Sequence, residues 1–409
     1  MKRVTTLLTT ATLLLTAAVA SPCSVAVVSG AATPDGRPLL WKNRDTGTAA
    51  NRVMAFEGPR FAFIGVVNTP DLEGTDVWAG TNEAGFCIMN SASYNLPTDF
   101  DPSKEGEEGA FMRRALGECA TVDDFQRLLT STAGQRKVSA NFGVIDAHGG
   151  AAFFETTDTT FARFDASDPR VAPEGYLVRT NFSFTGKPAG GAGYIRFDRV
   201  STLFHEEVTG GGIRRDWLLT TASRDMVNGM SGVDPLAGPL PVDARDRRMF
   251  YMNDSVTRSS AASTVVFQGP ATGEGPERTI MWTRLGHPLC SVALPLFVAG
   301  ADGLRLTVGG TGGAPIDRFA LGWLARLFPY SKGGRDRYMD LAPVANRAGS
   351  GLRQVLPDIE EAVLRRTDAL LRQLPPGPAT LVRVEREAED LVAARLRERY
   401  PEACSEAGL

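Results

Sequence analysis

The sequence predicts an α+β protein built of layered sheets and helices, with a helical C-terminal region. Segments rich in β-branched and aromatic residues occur in groups, and these groups bracket helical stretches. No internal repeat of solenoid length is present. The chain has 409 residues, of which 43% are hydrophobic and 22% are charged. This composition is typical of a globular protein with a large core.

The first predicted element is a β-hairpin over residues 23–45. Val25, Val27 and Val28 lie in its first strand, and the run Thr33-Pro-Asp-Gly36 is typical of a turn. Further elements are expected in chain order: strands at 61–67, 77–78 and 85–89, two helices between 111 and 129, a hairpin over 141–155, a strand at 176–180, a helix at 196–208, and strands at 264–268 and 279–282. The run Thr121-Val-Asp-Asp124 predicts a capping box at the start of the second of the two helices.

The C-terminal region is predicted to be helical from about Gly351. Ile359, Val363 and Leu370 would lie on one side of this helix, while charged residues fill the other side. Such helices would serve either to form a homo-oligomer or to cap the core.

The first twenty residues have the pattern of a cleaved secretory signal. Lys2 and Arg3 form a positive start, an apolar stretch follows, and Ala18-Val-Ala20 supplies small residues at a cleavage site. A membrane anchor is the alternative, but the stretch is short for a membrane span. We therefore expect a signal peptide at 1–20, a remnant at 21–22, a main domain at 23–350 and a helical extension at 351–409.

The expected location is outside the cytoplasm, either secreted or periplasmic, without membrane insertion after processing. The net charge is −3, and loss of Lys2 and Arg3 with the leader makes it −5. No basic stripe interleaved with aromatic residues occurs, so nucleic acid is not an expected partner.

Five cysteines remain in an exported chain: Cys23, Cys87, Cys119, Cys290 and Cys404. Their wide spacing fits neither a dense disulfide framework nor a zinc site. An odd number leaves at least one thiol without a disulfide partner. The chain has only three histidines and lacks the G-x-S-x-G, H-E-x-x-H and phosphate-loop patterns, so most common hydrolase templates are excluded.

Cys23 differs from the other cysteines because it follows the predicted signal cleavage by three residues and begins a strand. An N-terminal cysteine carries its own base, since an α-amine has a pKa of about 7.7–8.0 and can accept the thiol proton. The alternatives are a lipidated cysteine, a disulfide partner or an incidental surface thiol. Lipidation requires a small residue before the cysteine, and Pro22 does not fit that requirement.

Several motifs in order resemble one enzyme family. They are Cys23-Ser-Val-Ala-Val-Val with Lys42-Asn-Arg-Asp45, Gly80-Thr-Asn-Glu-Ala-Gly85, Asn141-Phe-Gly-Val-Ile-Asp146, and Arg179-Thr-Asn-Phe182. Together they resemble the N-terminal-nucleophile (Ntn) hydrolases, within the penicillin acyltransferase-like and choloylglycine hydrolase-like group that cleaves linear amide C–N bonds. This resemblance implies a four-layer αββα sandwich and no metal or cofactor.

The resemblance also implies roles for individual residues. Cys23 would be the nucleophile, Asp45 the acid that orients its amine or thiol, and Asn181 an oxyanion donor. Lys42 stands where choloylglycine hydrolases have an arginine, so the cationic role is open between Lys42 and Arg44.

Two further positions match the family pattern more loosely. Asn90 matches a second polar group near the nucleophile. Arg196 resembles a late site arginine, with Arg258 as its substitute.

Other interpretations of the same residues are structural. Arg44 and Asp45 could form a surface pair at the hairpin end. Asn82 is expected to shape a turn, and Asp146 to end a hairpin rather than to act in catalysis. His148 and His205 are expected to be exposed, and His287 is not expected to line the site.

Two other classes of protein remain as rivals to an amide hydrolase or acyltransferase. A secreted or lipid-anchored binding protein would use Cys23 only for attachment. A conventional cysteine peptidase would pair Cys290 or Cys87 with His287. For an amidase, penicillins, conjugated bile acids, N-acyl amino acids, acyl-homoserine lactones and small peptides all offer suitable small-molecule amides.

Overall fold

A computed structural model describes residues 23–97, 106–309, 312–330, 334–373 and 377–409. The predicted signal peptide at 1–20 and the predicted remnant at 21–22 lie outside the described residues. None of the helices in the described part of the chain is both long enough and apolar enough to cross a membrane.

Fifteen strands lie in the described part of the main domain. In chain order they are β1 (Ser24–Val28), β2 (Leu39–Asp45), β3 (Asn51–Phe56), β4 (Phe63–Asn68), β5 (Ala79–Asn82), β6 (Cys87–Ala92), β7 (Ala140–Ile145), β8 (Ala151–Thr156), β9 (Phe161–Asp165), β10 (Tyr176–Arg179), β11 (Met249–Tyr251), β12 (Ala261–Gln268), β13 (Ile280–Leu285), β14 (Leu294–Leu296) and β15 (Tyr338–Asp340).

The helices fall into an early group and a C-terminal group. In chain order they are α1 (Glu108–Glu118), α2 (Val122–Ser131), α3 (Tyr194–Thr209), α4 (Arg215–Thr220), α5 (Pro315–Leu327), α6 (Leu352–Gln373), α7 (Pro378–Arg399) and α8 (Pro401–Ala407). The predicted α+β class is confirmed.

Two antiparallel sheets stack on each other. The first has the order β10-β1-β2-β12-β13-β14 and the second runs β3-β4-β5-β6-β7-β8-β9. Strands β1 and β2 of the first sheet contact β6 and β7 of the second. Helix α1 packs on β5 and β6, whereas α3 packs on β10 and β1, and α4 packs on β12. These contacts are consistent with the αββα order that the resemblance implied.

Strand β1 shows why this stacking suits the sequence. It is apolar at four successive positions rather than at alternate ones, and all five of its residues are buried. Continuous apolar strands are typical of sheets that are covered on both faces. Here the second sheet covers one face and α3 covers the other.

Local signals in the sequence are reproduced. Strands β1 and β2 pair as the predicted hairpin, with Ser24 opposite Asn43. Thr121 and Asp124 form the predicted capping box of α2. The carboxylate of Asp146 accepts backbone N–H groups from His148, Gly150 and Val122, so Asp146 ties the end of a hairpin to α2, as expected for a structural residue.

The C-terminal helices reach the core through buried carboxylates. Glu360 of α6 lies between two buried arginines, 2.6 Å from Arg284 Nη2 and 2.9 Å from Arg224 Nη1. Burial alone would raise the pKa of Glu360, but the two guanidinium groups outweigh burial and hold that pKa below its usual value. Glu385 and Glu389 of α7 accept backbone N–H groups from Phe297 and Leu306.

We predict that Glu360→Gln lowers the free energy of unfolding by about 3–5 kcal/mol, because it leaves two buried guanidinium groups without a counter-charge. Urea denaturation followed by circular dichroism measures this loss. Glu361→Gln is the matched control, since Glu361 is exposed on the same helix and pairs only with exposed Arg365. Its effect should stay within about 0.5 kcal/mol. Equal urea midpoints for Glu360→Gln and Glu361→Gln would contradict a stabilising role for the buried cluster of Glu360, Arg224 and Arg284.

Candidate functional site

The predicted site residues meet at one end of the first sheet. Strand β1 is antiparallel to both of its neighbours, with Ser24 opposite Asn43 of β2 and Val25 opposite Arg179 of β10. The start of β1 therefore lies beside the ends of β2 and β10. This register brings Cys23, Asp45 and Asn181 together although they are far apart in sequence.

Cys23 is buried at the first described position. Its Sγ lies 3.8 Å from the backbone carbonyl oxygen of Asp45. Its own carbonyl oxygen accepts a hydrogen bond of 2.8 Å from Arg196 Nη1. Both the side chain and the backbone of Cys23 are thus positioned by residues that the sequence had singled out.

Arg196 connects Cys23 to Asn181. Its Nη1 also donates to Ser24 Oγ at 2.9 Å, and its Nη2 donates to Asn181 Oδ1 at 3.1 Å. Burial lowers the pKa of Arg196 from its ordinary value, while Asp45 opposes this shift. The guanidinium fixes the amide of Asn181 with its oxygen towards the arginine.

The nitrogen of Asn181 has one identified partner, the carbonyl oxygen of Ala92 at 2.9 Å. An amide nitrogen carries two N–H donors, so a second donor remains for another acceptor. Gly193 allows Arg196 to approach, because a Cβ at this position would lie 2.6 Å from Arg196 Nη2. Gly193 also has φ +84°, a conformation that favours glycine.

Arg258, the alternative to Arg196, lies at the same site with a different partner. Its Nε is 4.0 Å from Asp45 Oδ2. Arg196 therefore contacts Cys23 and Asn181, whereas Arg258 faces the carboxylate of Asp45.

Asp45 is buried rather than exposed. Burial raises its pKa to about 6, although Arg258 and Arg196 favour the carboxylate. Among the described residues, Asp45 Oδ1 is buried without a hydrogen bond. The interpretation of Arg44 and Asp45 as a surface pair is wrong, because the fold covers both side chains.

Lys42 and Asn90 form a contact between the two sheets. Lys42 Nζ donates to Asn90 Oδ1 and to the carbonyl oxygen of Trp78, both at 2.8 Å. Burial lowers the pKa of Lys42 to about 8, and Arg44 lowers it further, while Cys23 and Asp45 favour the ammonium form. Lys42 is thus a buried cation that titrates near neutral pH beside Cys23.

Arg44 is held by a separate set of partners. Its guanidinium donates to Asn51 Oδ1 and, at 2.8 Å, to Asn68 Oδ1, and it lies 4.9 Å from the ring centroid of Trp78. Burial lowers its pKa to about 10. Because Lys42 and Arg44 are two residues apart on β2, their side chains lie on the same face of the sheet, and both influence the thiol.

Several partners at the site were missed by the sequence analysis. They are Ser24 and the backbone carbonyl groups of Trp78 and Ala92. A backbone carbonyl has no side-chain signature, so only its position in the sheets identifies it. Ser24 follows the nucleophile directly, but nothing in its surroundings indicates contact with an arginine 172 residues away.

Cys290, Cys87 and His287 have environments that do not activate them. Cys290 Sγ lies 4.0 Å from His287 Nδ1, as a cysteine peptidase would require. However, burial lowers the pKa of His287 to about 4 and raises the pKa of Cys290 above its usual range. Burial also raises the pKa of Cys87 to about 12. A neutral imidazole and a neutral thiol do not form an ion pair of the catalytic type.

Neither a metal site nor the cavity described below involves Cys23. Over the described ranges, no group of three or more His, Cys, Asp or Glu side chains is arranged to hold a metal ion. A cavity of about 430 Å³ lies at the opposite end of the β1–β2 hairpin, and its lining includes Asp35, Arg37, Arg215 and Asp368. None of the predicted site residues lines this cavity.

A family comparison agrees with the motifs. Residues 31–197 match the family model described as acyl-coenzyme A:6-aminopenicillanic acid acyl-transferase. The matched range includes Lys42, Asp45, Asn90, Asn181 and Arg196, and begins eight residues after Cys23. The resemblance inferred from the motifs is thereby confirmed over this part of the chain. No curated protein matches the chain.

Three solved structures resemble this chain at low sequence identity. A mutant of the conjugated bile acid hydrolase from Clostridium perfringens shares 13% identity over 64% of this chain and 89% of its own, with a TM-score of 0.36. The Caenorhabditis elegans ortholog of N-acylethanolamine-hydrolyzing acid amidase shares 12% over 60% and 92%, with a TM-score of 0.39. Penicillin V acylase from Agrobacterium tumefaciens shares 11% over 67% and 86%, with a TM-score of 0.36.

We predict that Gly193→Ala displaces Arg196 and destabilises the protein. Gly149→Ala is the matched control, because Gly149 has a similar φ of +87° and its added Cβ would meet nothing within 4 Å. The control should lose about 1–2 kcal/mol from the backbone conformation alone. Gly193→Ala should lose about 1–3 kcal/mol more, since its Cβ also overpacks Arg196 and Thr180. Urea denaturation of both variants checks this, and equal losses would show that Arg196 has room to move.

Proposed function

We propose that this chain is an exported amide hydrolase or acyltransferase that forms an acyl-thioester on Cys23. The observation that carries the proposal is the hydrogen-bonded link from the Cys23 carbonyl through Arg196 to Asn181. It fixes a thiol and an amide donor relative to each other at the end of a buried strand. The family match over residues 31–197 supports acyl transfer as the type of reaction.

The first half of the reaction breaks the substrate amide. The α-amine of an N-terminal Cys23 accepts the thiol proton, and Sγ bonds to the substrate carbonyl carbon. The carbonyl oxygen becomes an oxyanion and accepts the remaining N–H of Asn181 Nδ2, a contact worth roughly 2.7–4 kcal/mol in such sites. The amine then passes its proton to the leaving nitrogen, the C–N bond breaks, and the acyl group stays on Cys23.

The second half releases the acyl group. Water, or an acceptor amine in an acyl transfer, gives a proton to the α-amine and bonds to the thioester carbon. The S–C bond then breaks and the thiol takes the proton back. The product is a carboxylic acid or a new amide, and no metal or cofactor is required.

The charged neighbours of Cys23 would support these steps. Lys42 and Arg44 are buried cations whose charged forms are favoured by Cys23 and Asp45. Asp45 is the last residue of β2 and lies beside the start of β1, where its carboxylate would orient the α-amine. Asn90 holds Lys42 in place through its Oδ1.

The mechanism requires a free amine on Cys23. The proposed signal peptide ends at Ala20, so Ser21 and Pro22 must also be removed. The Cys23 thiol would add to the Pro22 carbonyl carbon, the Pro22–Cys23 C–N bond would break to free the α-amine, and water would hydrolyse the resulting thioester to release Ser21-Pro22. Export to the cell exterior or periplasm belongs to the same proposal.

We predict that exported wild-type protein begins at Cys23 and that Cys23→Ala retains Ser21 and Pro22. Intact mass and N-terminal sequencing of the two proteins measure this. Wild type should release amines from at least one of the candidate amides, detected with fluorescamine, and Cys23→Ala should release none. Cys290→Ala is the control thiol, and it should be processed and active like wild type.

A lipid-modified Cys23 would instead favour the attachment role of a binding protein. A Ser21 terminus on active protein would contradict the amine-assisted mechanism.

We further predict that kcat/KM falls above about pH 8, because Lys42 loses its proton there. The activity falls rather than rises with pH because the ammonium form of Lys42 is present below about pH 8 and absent above it. Deprotonation of the α-amine creates the base, so it does not account for a fall at high pH. In Lys42→Arg, the guanidinium stays charged and the fall should move to higher pH. An unchanged alkaline limb in a folded Lys42→Arg protein would exclude Lys42 as its source.

A further inference from the structure

The segment 258–262, which leads into β12, contacts the carboxyl group of Asp45. Arg258 Nε lies 4.0 Å from Asp45 Oδ2, and the Ser260 side chain is a hydrogen-bond partner of the same carboxyl group. The Ser260 carbonyl oxygen also accepts the backbone N–H of Thr46 at 3.0 Å. This segment therefore brings a cation and a hydroxyl group to Asp45.

The same segment contains a β-bulge. Ala261 and Ser263 lie opposite two successive residues of β2, so Ala262 is an extra residue on β12. Bulges change the direction of nearby side chains and are common next to active sites. The carbonyl oxygen of Ala262 accepts the backbone N–H of Gly286 at 2.9 Å, so the turn after β13 holds the bulge in place.

His287 holds the other end of the segment from the same turn. Its side chain is buried, and its Nε2 lies 3.1 Å from the carbonyl oxygen of Arg258. The backbone N–H of Leu289 lies 3.3 Å from its Nδ1. A carbonyl oxygen only accepts and a backbone N–H only donates, so the ring proton is on Nε2 and is donated to Arg258. Gly286 and His287 thus fix both ends of the segment 258–262.

The imidazole of His287 stays neutral, so this contact is constant. Burial lowers its pKa to about 4, although the carbonyl groups of Arg258 and Thr257 favour the protonated form; Arg284 lowers the pKa further. Phe328 packs against the ring with 5.5 Å between centroids. Above about pH 5 the ring does not titrate, and any pH dependence at the site therefore arises from another group.

We infer that His287 is a positioning residue for the proposed reaction. Through its hydrogen bond to the Arg258 carbonyl oxygen, it holds the Arg258 guanidinium against Asp45 and so favours the Asp45 carboxylate. The inference rests on the proposed function, in which this carboxylate orients the α-amine of Cys23. His287 acts through the backbone and does not exchange a proton with the reacting atoms.

The charge of Asp45 depends on several neighbours. Burial raises its pKa to about 6, and the first-ranked group acting against burial is the guanidinium of Arg258. The other groups that favour the carboxylate, or interact with it, are Arg196, Ser260, Arg44 and Lys42. An arginine beside an aspartate lowers the aspartate pKa. Displacing Arg258 should therefore raise the pKa of Asp45, and the carboxylate would be lost at a higher pH.

Two substitutions of His287 separate its hydrogen bond from its bulk. A glutamine amide reaches the position of Nε2 and can donate to Arg258, whereas a shorter asparagine amide lies near Nδ1 and cannot. Neither side chain titrates. The pKa of Asp45 should rise by about 0.5 to 1 in His287→Asn and stay near the wild-type value in His287→Gln. Carbon NMR of protein labelled at the aspartate carboxyl groups measures this pKa, and Asp45→Asn identifies the Asp45 signal.

Kinetics give a second readout on an amide that wild type cleaves. In His287→Asn, kcat/KM relative to wild type should be close to one at pH 7.5, where Asp45 is ionised in both proteins. At pH 5 it should be about 3- to 10-fold lower, since less of Asp45 is ionised in the variant. An equal loss at both pH values would mean a general structural defect, and no loss at either would mean no role. Both results overturn the inference.

A double variant tests whether His287 acts through Arg258. Arg258→Gln should raise the pKa of Asp45, and His287→Asn added to it should shift that pKa by less than half of its effect alone. Additive shifts would contradict the inference. His205→Asn is the matched control, because His205 is exposed and pairs with Glu174 at 2.6 Å. It should leave both the Asp45 pKa and the kinetic ratio unchanged.

A measurement on the wild-type histidine does not depend on the folding of a variant at position 287. In protein with nitrogen-labelled histidine, the His287 signals, identified by elimination with His148→Asn and His205→Asn, should show a neutral ring with its proton on Nε2. A proton on Nδ1, or a titration between pH 6 and 7, would overturn the inference. Should wild type cleave no amide, the proposed function fails, and the NMR titrations still decide whether His287 controls Asp45.

Discussion

The buried guanidinium of Arg196 is the interaction on which the site depends. It donates to the Cys23 carbonyl, to Ser24 and to Asn181, and thereby joins the start of β1 to the segment that follows β10. Each of these hydrogen bonds is charge-assisted, so each is stronger than a bond between neutral groups. The cost of burying the charge is offset by Asp45 nearby and by three acceptors. The glycine at position 193 leaves space for this arrangement.

Electrostatics at the site follow from the same burial. Lys42, Arg44 and Arg196 each interact electrostatically with Cys23, and Asp45 interacts with the same three cations and with Arg258. Burial away from water raises the pKa of Asp45 and lowers the pKa of Lys42, so both pKa values move closer to pH 7. Cys290 is also buried, beside a neutral His287, and burial raises the pKa of its thiol.

Local features of the fold could be predicted from sequence, and contacts between layers could not. The 23–45 hairpin, the Thr121 capping box and the turn residue Asp146 depend on neighbours a few residues away. Motif order also predicted Cys23, Asp45 and Asn181 as one set, with Arg196 or Arg258 as a looser addition. The contact of Lys42 with Asn90 depends on how two sheets stack, which no local pattern encodes. The carbonyl groups of Trp78 and Ala92 are partners through backbone geometry, and any side chain could occupy those positions.

Strand β1 lies between β2 and β10 and is buried on both faces. A chain end in such a position is clamped by hydrogen bonds on both sides, and a cut just before Cys23 would not loosen it. In the proposed maturation, the Cys23 thiol would reach its described surroundings only once β10, encoded some 150 residues later, has paired with β1. Cleavage would then act as a quality check on folding, since only molecules with a completed sheet would acquire a working amine.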